Sequence, residues 1–326
     1  MIIGSCAGTL HTLDRTTGHP IWLYDTKADG ASAEFHGEPL LVGDRAVIPT
    51  DADPEGHIYS FDTASGDLLW KVPFPHGVAT TPLLIDERVV AISVAGEVVS
   101  IDAKSGKVLW LKAPAGTLKP FPRVRSPAHA AGRVFVADNT NRILALAAAT
   151  GETAWNKTLP ARVNTALLVV GNSLVSGTED GYMNWLAIDS GELTKRIRLG
   201  EGYPLGTPIL ASPLLYVLTG GEKGTLIALD AESGAIQWKQ ETPKEWTTYR
   251  PLLAGSSIIV GNAEKNLCAF DRLSGESQWC RSTGQTPRGL GISNDGILYV
   301  GSLSGVVQAF RVAPERRDAT RERIKE

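Results

Sequence analysis

The sequence predicts an all-β fold, an eight-bladed β-propeller of four-stranded blades. Three observations predict it. A ten-residue motif, seen at residues 101–110 as "IDAKSGKVLW", recurs with its turn glycine at Gly18, Gly66, Gly106, Gly151, Gly191, Gly234 and Gly275. The intervals are 48, 40, 45, 40, 43 and 41 residues, and a period in this range along a whole chain marks a repeat architecture. Each period holds four short β-rich runs, the pattern of a propeller blade, and no helical stretch competes before the tail.

The first two runs of a unit, such as "VVAIS" and "GEVVSID", read as strands joined by a polar or Gly-bearing turn. An Asp-x-x-Ser/Thr-Gly turn follows. Its Asp side chain accepts from nearby backbone N–H groups, and its Gly takes the positive-φ position. A tryptophan then opens the third strand, at Trp22, Trp70, Trp110, Trp155, Trp238 and Trp279. An amphipathic indole recurring at one site is suited to docking between neighbouring units. A fourth run, such as "TTPLLIDE" or "YRPLLAGS", completes the unit.

Two columns depart from the pattern. The Asp column reads Asp14, Asp62, Asp102, Ala147, Ala187, Asp230, Asp271 and Arg311, so three units lack the carboxylate, which points to turn stabilisation rather than chemistry. Two residues earlier stand Thr12, Ser60, Ser100, Ala145, Trp185, Ala228, Ala269 and Ala309. The one bulky member, Trp185, belongs to the unit whose docking Trp is replaced by Lys195. Either Trp185 fills the space above Lys195 or the coincidence has no meaning; both readings are open at this point.

Eight paired inner runs face only seven turn-plus-third-strand runs, and the sequence starts and stops in mid-unit. The expectation is eight blades with the first and last incomplete, a preceding segment supplying the missing strands. The alternative is a seven-bladed ring closed by pairing the two half-units. The propeller is expected over residues 1–312, with 313–326 a charged tail.

The units, in "ALDAESGAIQW" and "LYVGSLSG", resemble the tryptophan-docking repeats of PQQ-like, quinoprotein-type β-propellers. The resemblance covers residues 1 to about 312 and implies the fold. It implies two functions less directly, since one fold hosts many. Part of the family is made of quinoprotein dehydrogenases; another part is made of non-enzymatic scaffolds, the BamB-like outer-membrane assembly lipoproteins. It also implies a periplasmic or otherwise extracytoplasmic setting, with a cytoplasmic one as the alternative.

Composition narrows the partners. The formal net charge is −3, so no basic field points to nucleic acid. No apolar run is long enough for a transmembrane helix, and no signal-peptide core is visible. A monomer is expected. Of three cysteines, Cys268 and Cys280 flank one turn and either bridge across the hairpin or stay as thiols; register decides, and spacing alone does not give it. The adjacent Cys pair found beside the cofactor in many quinoprotein alcohol dehydrogenases does not occur.

"DADPEGHIYSFD" puts Asp51, Asp53, Glu55 and Asp62 at EF-hand-like spacing. Its flanks read as strands, and Asp62 belongs to the turn column, so an acidic, solvated hairpin is the reading preferred over a metal site. No catalytic set of residues is evident. In the family resembled, the fourth run is innermost and its start lines a channel mouth. That row places Arg125, Arg250 and Arg288 there, with Glu38, His36, Tyr249 and Asn164 around them. Arg250 and Arg288 share one register, and Arg125 is one place out of step. Converging arginines suit a carboxylate or phosphate through forked donors; equally, they are solvated rim residues. The function expected is a non-enzymatic scaffold that binds protein partners or an anionic ligand, with no cofactor. The alternative is a PQQ-dependent oxidoreductase holding PQQ with calcium.

Overall fold

The computed structural model describes residues 1–5, 7–30, 34–35, 37–52, 55–113, 126–138, 140–221, 223–242 and 246–311. The tail expected at 313–326 lies outside them. Among the described residues the regular structure is β apart from one 3₁₀ turn at Thr26–Asp29. Eight antiparallel meander sheets follow one another, over residues 2–25, 40–74, 83–112, 128–158, 168–198, 203–242, 252–282 and 287–311. Among the described residues the first and last have three strands and the other six have four. The fold is the expected eight-bladed β-propeller with incomplete end blades, not the seven-bladed alternative. The chain divides into two compact units, residues 1–245 with six blades and 246–326 with two.

The fourth run of each motif opens the next blade. In blade 3 the strands are Leu83–Ile85, Arg88–Ile92, Val98–Asp102 and Val108–Lys112, in that spatial order. The two central strands are almost wholly buried because both faces pack on neighbouring sheets, so they read as continuous apolar runs rather than alternating ones. One cluster joins Val47, Ile58, Trp70 and Val72 of blade 2 to Val89, Val99 and Ile101 of blade 3. At about 25 cal/mol per Å² of apolar surface, such inter-blade burial is the main stabilising contribution.

The Asp turns form as the sequence suggests. The Asp102 carboxylate accepts from the Ser105 N–H at 2.7 Å and the Ser105 hydroxyl at 2.6 Å. Asp62, Asp230 and Asp271 do the same with Ser65, Ser233 and Ser274, and Asp14 with Thr17. These donors hold all five carboxyls below the ordinary value of 3.8; the first causes are the Thr17, Ser65 and Ser274 N–H groups and the Ser105 and Ser233 hydroxyls.

The docking tryptophans work through a constant hydrogen bond. Trp22, Trp70, Trp110 and Trp155 donate Nε1–H to the carbonyls of Thr63, Ala103, Ala148 and Ile188, at 2.9–3.1 Å. Each acceptor lies one residue past the turn-column position of the next blade. Trp70 is buried, and Trp22, Trp110, Trp155, Trp238 and Trp279 are half-buried. The turn glycine has a second task here. Gly106 sits at φ +73°, and a Cβ there would lie 2.7 Å from Trp70 Cγ. The turn must be Gly both for its dihedral and because the indole lies on it.

Blade 5 decides the question left open above. Trp185 lies opposite Lys195, is 2% exposed, and donates to the Ala231 carbonyl at 2.9 Å. It makes the docking bond from the neighbouring strand, while the Lys195 ammonium rests 5.5 Å over its ring.

Candidate functional site

The row expected at the channel mouth consists of the loops that lead into the first strand of each blade. These loops run beside the turns that join the two central strands. Those turns share a device not seen in the sequence: their first residue caps them. Ser5, Thr50, Ser93, Asp138, Asn262 and Ser302 each accept, through the side chain, from a backbone N–H further along the turn.

In the first unit the loop row is spent largely on joining blades. The buried Asn164 amide donates to the Pro204 carbonyl at 2.7 Å, and its backbone N–H to Gly177 O at 2.7 Å. Thr165, fully buried, accepts from the Gly177 N–H at 2.8 Å and forms a parallel bridge with Gly206. Glu38 is exposed, and its backbone N–H donates to Thr81 Oγ1 at 3.2 Å. A Cβ on Gly37 would lie 2.8 Å from Thr80 O, so the loop passes against its neighbour with no space for a side chain.

Two ionisable pairs cross from these loops to the turns between the central strands. His76 Nδ1 lies 2.8 Å from Glu97 Oε1, and the Ser93 hydroxyl donates to the other Glu97 oxygen. Glu97 is 9% exposed. Arg162 Nε is 3.1 Å from Glu179 Oε1, with both side chains over a third exposed. Ser93 is wholly buried and also caps its turn, so this Ser–Glu–His grouping braces the loop rather than presenting a nucleophile.

In the second unit Tyr249 is 52% exposed and Arg250 is exposed. The Arg288 guanidinium lies 5.0 Å over the Tyr249 ring and donates to Thr247 O at 3.4 Å. Arg288 stands four residues before Ile292, whereas Arg250 stands three before the equivalent Leu253; these two residues pair with Leu298 and Ile258 at matching positions. The two arginines are therefore one residue apart in register. Arg125 and His36 lie outside the described residues. Of the EF-hand-like set, Asp53 is outside them, Glu55 is exposed, and Asp62 is held by the Ala64 and Ser65 N–H groups of its own turn. Among the described residues no group of three His, Cys, Asp or Glu is placed to hold a metal ion. No helix among them is long and apolar enough to cross a membrane. Cys268 and Cys280, opposite one another on adjacent strands, form a disulfide.

Comparison with known proteins settles the family. The family model described as outer membrane protein assembly factor BamB matches residues 6–129, 96–202 and 196–313. The chain belongs to the BamB family. BamB of Yersinia pestis is 25% identical over 229 residues, 67% of this chain and 56% of that protein. BamB of Alkalilimnicola ehrlichii is 29% identical over 203 residues, 59% of this chain and 50% of that protein. The matched region thus spans about half the length of these curated relatives. The crystal structure of BamB from Moraxella catarrhalis superposes with a TM-score of 0.77 at 20% identity, covering 96% of this chain and 93% of that one. A europium-containing methanol dehydrogenase gives 0.71 at 14% identity, covering 93% and 80%. At such identities the two structures show the fold they share with this chain, and the fold alone.

Proposed function

We propose that the chain is a non-enzymatic scaffold that binds protein partners in the assembly of outer membrane proteins, outside the cytoplasm. The observation that carries this reading is the BamB family match, whose three overlapping segments run from residue 6 to 313. The chemistry of the loop row agrees with it. Asn164, Thr165 and the His76–Glu97 pair, which a ligand site would need free, are engaged in joining loops and blades. The Cys268–Cys280 disulfide supports an extracytoplasmic setting, because disulfides persist in oxidising compartments.

The test is deletion of the gene in its host, with folded outer membrane proteins measured by heat-modifiable mobility. The expected result is a lowered amount, restored by the wild-type gene; unchanged amounts overturn the reading. For the oxidoreductase alternative, the chain is mixed with PQQ and Ca²⁺ and its absorbance recorded; a stoichiometric bound chromophore would replace the scaffold reading. A narrower part of the proposal is an anionic group held by Arg250 and Arg288. It rests on the exposed position of Arg250 and on the seating of Arg288 over Tyr249. Calorimetric titration with dicarboxylates and phosphate esters tests it, and equal heats from Arg250→Ala/Arg288→Ala remove it.

A further inference from the structure

The outer strands of the first compact unit fall into two chemically distinct runs. In blades 1, 2 and 3 they are Pro20–Asp25, Leu68–Phe74 and Val108–Lys112. The residue before the docking tryptophan is there Ile21, Leu69 or Leu109, and the residue after it is Leu23 in blade 1 and Leu111 in blade 3. Together with Leu68, these side chains are 41–57% exposed. In blades 4, 5 and 6 the same two places hold Ala154 and Asn156, Thr194 and Arg196, and Gln237 and Lys239. Single exposed leucines are ordinary on a protein surface, but six large aliphatic side chains on three successive strands make a patch. The three strands are also neighbours, because Trp22 bonds blade 1 to blade 2 and Trp70 bonds blade 2 to blade 3. The six side chains therefore form one belt.

Charge divides in the same way. The carboxylates of the Asp column are held by their own turns. Beyond them, the turns that open the three apolar strands carry Arg15, Lys104 and Lys107 against Asp67. The turns that open the outer strands of blades 4 to 6 carry Glu152, Asp189, Glu192 and Glu232, with no arginine or lysine. The turns between the first two strands of blades 2 and 3 alter this little. Asp44 faces Arg45 and Asp86 faces Arg88, which leaves Glu87. Lys112 stands at the far end of the blade 3 strand. The apolar belt is thus bordered by cations, and the polar outer strands by acids.

We propose that the outer strands of blades 1 to 3 are a face for an anionic lipid surface. The aliphatic side chains sit at headgroup level, and Arg15, Lys104 and Lys107 meet the phosphates. Interfacial binding draws its strength from buried apolar area together with attraction to anionic lipid, and the belt offers both in one place. The depth is set by the backbone. Each of the three strands is the edge of its sheet among the described residues, so donors and acceptors lie open along it. Hydrocarbon would leave those groups unsatisfied, whereas the headgroup layer supplies water and phosphate to pair with them. A dry protein contact would have to match each edge group and each cation individually; a hydrated lipid interface needs no such match. The acidic turns of blades 4 to 6 are repelled by the same surface, which selects the side that approaches it. The proposed setting outside the cytoplasm enters only in deciding which membrane the chain meets; the chemistry of the belt carries the rest.

The test uses the full chain and extruded phosphatidylethanolamine vesicles containing about 30% phosphatidylglycerol, with phosphatidylcholine vesicles in parallel. The expected result is flotation with the anionic vesicles, weakened by ~0.5 M salt. Vesicle-dependent hydrogen-exchange protection should fall within the outer strands of blades 1 to 3. Leu23→Ser/Leu69→Ser and, separately, Leu109→Ser/Leu111→Ser should each weaken binding by about tenfold or more. Lys104→Glu/Lys107→Glu should remove the preference for anionic over phosphatidylcholine vesicles. Ala154→Ser/Asn156→Ser, at the same two places of blade 4, should bind as wild type. All of these side chains are exposed, so each variant should keep the wild-type circular dichroism; should one misfold, the exchange map of the wild-type chain decides. No flotation up to ~1 mM lipid, equal flotation of both leucine variants, or protection confined to blades 4 to 6 overturns the inference. A dimer in light scattering that the leucine variants dissolve assigns the belt to a second copy and overturns it too. A host that assembles its outer membrane proteins normally without the gene would overturn the scaffold reading and leave the flotation result untouched.

Discussion

Substituting Gly106 by alanine tests whether docking and turn geometry are one device. Gly106 has φ +73°, and a Cβ there would lie 2.7 Å from Trp70 Cγ and 2.9 Å from Trp70 Cβ and Cδ2. Two costs follow. The left-handed conformation costs an alanine about 1–2 kcal/mol whatever surrounds it. The methyl also forces the Trp70 indole off the turn, which weakens its 3.1 Å bond to Ala103 O and loosens the core of blades 2 and 3. A net hydrogen bond is worth about 1 kcal/mol and disturbed packing about 1–3 kcal/mol. Gly106→Ala should therefore cost roughly 3–5 kcal/mol, and Trp70→Ala about the same as other large aromatic deletions, ~3–5 kcal/mol. In the double variant the indole is gone, so the added alanine should cost only its dihedral term. The double variant should be more stable than the sum of the two singles predicts, by ~1–3 kcal/mol. Urea denaturation followed by far-UV circular dichroism measures all four proteins. Additivity within about 0.5 kcal/mol would refute the coupling.

Blade 5 gives a matching pair: Trp185→Leu should destabilise like loss of a docking indole, by about 3 kcal/mol or more, whereas Lys195→Met should cost under ~1 kcal/mol in the same melts. Cys268→Ser/Cys280→Ser opens a loop with a sequence separation of 12 and should cost about 3 kcal/mol, read as the difference between the variant and the oxidised wild type. Acid should unfold the chain through its turns. The five turn carboxyls have folded pKa values below their unfolded value, so their contribution is fully present above the ordinary carboxylate range and is lost as pH falls through the folded values. Melting temperature should thus drop below about pH 4, and Asp102→Asn should flatten that drop; an unchanged acid profile in the variant would count against the turn assignment.

The blade count, the incomplete ends and the docking column were legible because each rests on a residue type that recurs at one place in the period. Tryptophan is rare enough for its register to stand out, and Trp185 beside Lys195 advertised an exchange that the Ala231 hydrogen bond establishes. The turn-capping column was not legible. Ser5, Thr50, Ser93, Asp138, Asn262 and Ser302 differ in type, although aligning the residue after each second strand would have collected them. The loop row was found by position but not by role. Whether Asn164 faces a ligand or a neighbouring carbonyl depends on Pro204, 40 residues away, and no local pattern encodes that contact. The brace between His76 and Glu97 escaped for the same reason.

The docking bond runs in one direction, from the indole of one blade to the turn carbonyl of the next. Trp185 makes it from a different strand from its fellows. What a blade must offer its successor is thus an N–H donor and a flat apolar surface at one point, and what it must offer its predecessor is a glycine turn with an open carbonyl. A blade meeting both terms is a cassette, independent of the sequence around it. Duplicating residues 83–112 in frame, or exchanging that stretch for residues 40–74, preserves the terms at both joints. Lineages of such chains can therefore gain, lose and diversify blades one at a time, with selection acting on the loops while the joints stay interchangeable.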